Sequence, residues 1–118
     1  MASERMDRVN ELIRQQVGLL LAREVEFPPN IIVTVMRAKT DADLKKARIT
    51  ISVIPKTHEK GCLATLRKRL PFLQHELNGR LEMKFVPELR FAIEREDEKL
   101  SELDEIEHLL DRIKNQEL

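Results

Sequence analysis

Residues 47–53 read Ala-Arg-Ile-Thr-Ile-Ser-Val, apolar and polar side chains in strict alternation. An extended chain turns successive side chains to opposite sides, so this segment predicts a strand with one buried and one solvated face. Such a strand needs partners along its edges and a cover over its apolar side. The rest of the chain supplies both. Ile31-Ile32-Val33-Thr34-Val35-Met36 is rich in β-branched residues and predicts a second strand, paired with the first as an antiparallel hairpin across the polar turn Lys39-Thr40-Asp41-Ala42-Asp43-Leu44. Met83, Phe85, Leu89, Phe91 and Ile93 mark a third extended segment, in which Pro87 points to an edge position or a bulge.

The covering elements have a different period. Met6, Val9, Ile13, Val17, Leu20 and Leu21 recur at helical spacing, after Ser3 as N-cap and before the Phe27-Pro28-Pro29-Asn30 stop. A second helical stripe follows a loop at 56–61 and carries Leu63, Leu66, Leu70, Leu73, Leu77 and Leu81, with Asn78-Gly79 as its C-cap signal. Pro71 interrupts that stripe, and proline in a helix interior costs about 3 kcal/mol, so this element is expected as two half-helices broken at Leu70-Pro71. A last helix is expected at 97–116, with Leu100, Leu103, Ile106, Leu109, Leu110 and Ile113 at heptad-like spacing. The predicted order is α-β-β-α(kink)α-β with an additional C-terminal helix, an α+β fold with helices on one face of a small sheet. Leu63, Leu66, Leu73, Leu77, Val35, Ile49, Ile51, Phe85 and Phe91 are its expected core.

At 118 residues the chain predicts one hydrophobic core, with 1–91 as the body and 92–118 as an acidic appendage of the same domain. The formal net charge is zero, but it is unevenly spread: 17 Lys or Arg against 11 Asp or Glu up to Phe91, and 4 against 10 from Ala92 onward. A basic body with an acidic tail suits contact with a polyanion through one part only. The chain has no Trp or Tyr and only four Phe, which argues against an aromatic base-stacking platform. With the single cysteine Cys62 no internal disulfide can form, and no charged-then-apolar leader precedes the first helix, so a reducing, cytoplasmic setting is expected. Apolar runs fall short of the roughly 20 residues that a membrane span requires.

Candidate chemistry is sparse outside the cations. His58 and Cys62 are spaced to share a helix face, but two ligands do not make a zinc site. His75 and His108 have no adjacent partners of the right kind, and no metal or catalytic set is expected. Arg67, Lys68 and Arg69 stand just before the proline. With Pro71 at the first position of a second half-helix, the amides of Phe72, Leu73 and Gln74 would form a phosphate-attracting N-terminus beside them. Lys45, Lys46 and Arg48 flank the second strand and Arg80 and Lys84 the third, and each group is placed to extend a basic surface. Arg5 and Arg8 are weaker candidates because Glu4, Asp7 and Glu11 lie among them.

The element order resembles the type II KH fold, and specific residues narrow the likeness. Arg8-Val9, Arg23-Glu24-Val25 with Pro28, Thr34-Val35, Asp43-Leu44 with Ala47, and Val86-Pro87-Glu88-Leu89 with Phe91 resemble the signature of the ribosome-binding factor A family over about three quarters of the chain. That resemblance implies a bacterial factor that binds the maturing 30S subunit at 16S ribosomal RNA in the neck region. It also implies help with processing the 5′ end of that RNA, departure before translation, and neither enzymatic activity nor a cofactor. A monomer with no membrane or small-molecule partner is expected. The family's small-x-Gly kink aligns with Arg69-Leu70-Pro71, where both small residues are replaced, and its Asp-x-Ser segment after Phe91 is replaced by Glu94-Arg95-Glu96. From another class, the heptad-like acidic tail suits a protein–protein module that pairs with a partner helix without binding RNA.

Overall fold

A computed structural model describes residues 4–95 of the chain. Ser3 and the helix expected at 97–116 lie outside the described residues. The elements are α1 (Glu4–Glu24), β1 (Ile32–Thr40), β2 (Lys46–Ile54), a single 3-10 turn at Lys56–His58, α2 (Glu59–Arg80) and β3 (Glu88–Ile93). β2 is central, antiparallel to β1 and parallel to β3. Parallel pairing requires a long crossover, and α2 provides it. The architecture is α+β in the KH-like order, with two helices on one face of a three-stranded sheet.

The alternation in β2 sets the layers. Ala47, Ile49, Ile51 and Val53 are buried toward the helices. They meet Ile13, Val17, Leu20 and Leu21 of α1, together with Cys62, Leu66, Leu73 and Leu77 of α2, in one core. Leu89 and Phe91 extend that core under β3. Both edge strands are tied by side chains. Asn10 Oδ1 accepts from the Thr40 N–H of β1 at 2.9 Å. At β3, Gln74 Nε2 donates to the Pro87 carbonyl at 3.0 Å and Gln74 Oε1 accepts from the Leu89 N–H at 2.8 Å. One side-chain amide thus does at this edge what a neighbouring strand would do.

Several expectations need correction. β1 continues through Thr40, so Lys39 and Thr40 belong to the strand and the turn shrinks to residues 41–45. Within that turn Leu44 adopts a φ of 64°, the left-handed region, while Asp43 Oδ1 accepts from the Lys45 N–H at 3.0 Å. The segment 56–61 is not a loop: α2 already starts at Glu59. α2 also runs unbroken through Leu70 and Pro71 instead of dividing into two half-helices. Cys62, Leu66, Leu73 and Leu77 form one buried stripe on both sides of the proline. Packing of that stripe holds both halves on the sheet and outweighs the single backbone bond that proline deletes. Pro71 itself is exposed, so its ring meets water and not the core. Gly79 has no left-handed φ and lies inside the helix, which closes at Leu81 with an N–H to the Leu77 carbonyl at 3.2 Å. Phe85 is 75% exposed rather than core, because the strand begins at Glu88 and inward alternation starts only with Leu89. Leu63 is half-buried at the margin of the core.

Gln74→Leu keeps the bulk of the side chain but leaves the Leu89 N–H and Pro87 carbonyl without partners. The expected cost is about 1–3 kcal/mol, read as a drop in Tm of about 4–8 °C per kcal/mol for a domain of this size. An unchanged Tm would show that β3 does not depend on this amide.

Candidate nucleic-acid interface

The three cations before Pro71 do not act as a group. Successive helical residues turn by about 100°, so Arg67, Lys68 and Arg69 diverge around α2 although all three are exposed. Arg69 turns toward the end of α1: its Nη2 donates to the Glu24 carbonyl at 3.1 Å, and its guanidinium lies 4.7 Å from the Phe72 ring centroid. Glu24 is the last residue of α1, where unpaired carbonyls carry partial negative charge that a cation satisfies. Arg69 therefore joins the two helices. With α2 continuous, the amides of Phe72, Leu73 and Gln74 sit in a helix interior, and the phosphate site expected at a second N-terminus does not form there.

The other predicted cations divide by topology. β2 and β3 start side by side, which places Lys45 and Lys46 next to the start of β3, while Arg80 ends α2 and Lys84 lies in the segment that joins α2 to β3. The Glu88 N–H donates to the Lys45 carbonyl at 2.9 Å, which locks the hairpin turn to the start of β3. Lys84 lies 5.6 Å from the exposed Phe85 ring. Arg48 is separate: it is exposed on the sheet face turned away from the helices.

Sequence reasoning missed Arg37, Lys39 and Arg90, which share that outer face with Arg48. The register of β1 slips between Val35 and Arg37, so Val35 opposes Ile51 while Arg37 opposes Thr50. Met36 is the extra residue of a β-bulge, and the alternation reverses there. Val33 and Val35 face the helices before it, Ala38 and Thr40 after it. The signal was present in the sequence. Val33, Val35, Arg37 and Lys39 share one parity, and a strand without a bulge would drive two cations into the core.

Little else on the body offers chemistry. Cys62 is buried, and burial pushes its thiol pKa up, which holds it in the unreactive neutral form. Among the described residues no group of three or more His, Cys, Asp or Glu could hold a metal ion. No described helix is long and apolar enough to cross a membrane.

The family model described as ribosome-binding factor A matches residues 5–110. Ribosome-binding factor A of Chlamydia pneumoniae is 31% identical over 118 residues, covering 98% of this chain and 96% of the relative. In fold, the chain is similar to the crystal structure of ribosome-binding factor A from Thermus thermophilus, with a TM-score of 0.66 at 17% identity over 75% of this chain and 94% of that one. It is also similar to a homology model of the Thermus thermophilus factor fitted into the cryo-EM map of its complex with 30S, with a TM-score of 0.60 at 18% identity over 70% and 88% of the two chains.

Two outcomes test these assignments. Arg69→Ala is expected to lower Tm, at a cost of about 0.5–1.5 kcal/mol for the lost hydrogen bond, whereas Arg67→Ala and Lys68→Ala leave Tm unchanged. Equal Tm for all three would remove the helix-joining role of Arg69. For Cys62, the raised folded pKa means that the neutral thiol contributes stability that is fully present below the ordinary thiol range and is lost as pH rises from that range through the raised folded value. Alkylation by iodoacetamide at mildly alkaline pH is therefore expected to be slow in the native protein and fast in denaturant, and rapid native labelling would contradict the burial.

Proposed function

The chain belongs to the ribosome-binding factor A family, and from that premise we propose that it binds the immature 30S subunit through 16S ribosomal RNA and assists maturation, including processing of the 5′ end. The observation that carries this reading is the match of the family model across residues 5–110. The surplus of Lys and Arg over Asp and Glu in the body supports it, because contact with RNA phosphates needs such a surplus. On this reading the protein is a non-enzymatic, cofactor-free cytoplasmic monomer. Its contacts come from Arg67 and Lys68 on α2 and from Lys45, Lys46, Arg48, Arg80 and Lys84 at the hairpin end and on the sheet. Phosphate contacts position a protein on folded RNA without reading bases, which fits a body whose exposed aromatics, Phe72 and Phe85, are both on or after α2 and not on the sheet. The rival reading, helix pairing through the acidic tail at 92–118, draws on the helix expected at 97–116, which lies outside the described residues.

Co-sedimentation with precursor 30S, mature 30S and 70S particles across a salt series tests the proposal. Binding to 30S particles is expected, with log K falling linearly in log salt. The double variant Arg67→Glu, Lys68→Glu is expected to bind at least about tenfold more weakly, from the phosphate contacts it loses, with an unchanged Tm. Absence of binding to every particle would overturn the reading, and salt-insensitive binding would favour helix pairing.

A further inference from the structure

The pairing register aligns cations across the whole sheet. Lys39 of β1 lies directly opposite Arg48 of β2, and Arg48 lies directly opposite Arg90 of β3. All three are exposed on the face away from the helices. Strands are about 4.8 Å apart, so the row spans roughly two strand spacings and presents a short line of positive charge. Like charges placed directly opposite each other in a sheet oppose folding. Nothing in the core requires them, since the neighbouring inward positions Ala38, Ile49, Leu89 and Phe91 already fill the buried side.

Among the described residues the outer face keeps a net positive charge when its carboxylates are counted. Its described strand residues include the cations Arg37, Lys39, Lys46, Arg48 and Arg90, against Glu88 and the adjoining Glu94. Glu88 approaches Arg90 at 3.5 Å, with both side chains more than half exposed, a geometry that contributes little. Glu94 pairs with Arg37 at 2.9 Å, and its side chain is only 7% exposed, so that carboxylate is engaged beside the neighbouring row. The phenylalanine of β3, Phe91, faces the core. The face therefore has charge but no ring on which a base could stack.

Resting on the reading of this chain as a 30S-binding protein, we propose that the row Lys39–Arg48–Arg90 is an RNA-backbone contact surface: the sheet face lies on consecutive phosphates of ribosomal RNA and does not read their bases. The bulge at Met36 is what places Lys39 in the row. The surface is distinct from α2, on the opposite side of the sheet.

The test measures binding of the full chain to purified 30S subunits between low and moderate salt for wild type, Lys39→Gln, Arg90→Gln, their double variant, and Arg23→Gln as a cation on α1 outside the row. Each lost phosphate contact is expected to reduce the slope of log K against log salt by about 0.7–0.9, so the double variant loses about 1.5 in slope and binds about tenfold or more weakly. Its Tm is expected to stay level or rise, because repulsion within the row is relieved. Arg23→Gln is expected to retain the wild-type slope. An unchanged slope in the double variant while wild type binds normally would overturn the sheet-face proposal and leave the 30S reading standing. An equal loss in Arg23→Gln would overturn it as well, showing an effect of net charge alone. Failure of wild type to bind 30S would overturn the 30S reading and this inference together.

Discussion

Every layer of the domain is organised by β2. It is hydrogen-bonded on both sides, to β1 antiparallel and to β3 parallel, and its inward residues Ala47, Ile49 and Ile51 have no solvent exposure at all. Because the side-chain period of a strand is two, burying Ala47, Ile49, Ile51 and Val53 on one face of β2 turns Lys46, Arg48, Thr50 and Ser52 to the other, where Lys46 and Arg48 are exposed and Thr50 is itself covered. α1 and α2 are thereby confined to one side, where their leucine and isoleucine stripes close a single core. Displacing β2 by one residue would exchange Ile49 and Ile51 for Arg48 and Thr50, so the register is enforced by burial rather than by the hairpin turn alone.

Polar contacts then fix elements that packing leaves loose. The amide of Gln74 completes the bonding of Pro87 and Leu89, Asn10 serves β1 at Thr40, and Arg69 reaches the last carbonyl of α1. Each comes from a helix and acts at an edge or an end, where backbone groups would otherwise have no partner. Helices and sheet are therefore joined at their margins by side chains that look like ordinary surface residues in sequence. Arg69 is the clearest case: it belongs to a basic triplet by sequence but to the helix junction by structure.

The functional reading depends on which cations share a surface. The candidates legible from their places in the chain are divided between α2, the hairpin end and the outer sheet face. The bulge at Met36 brings Lys39 into line with Arg48 and Arg90, a grouping that adjacency in sequence does not suggest. The register gives three of these cations a common direction.

By itself the sequence determined the element types, their order and most of the core, because periodicity and β-branching act locally: the alternation of residues 47–53 and the stripe of α1 need no distant information. It also carried the family signature. Only the tertiary structure decided that α2 runs through Pro71, since the sheet binds its stripe more strongly than one missing backbone bond disrupts it. Tertiary contact likewise decided that Phe85 stays in solvent and that Gln74 serves as a strand edge. The reversal of β1 at Met36 belongs to the same class. The shared parity of Val33, Val35, Arg37 and Lys39 shows in the sequence that the alternation must reverse, but the pairing of β1 with β2 decides that it does so at Met36.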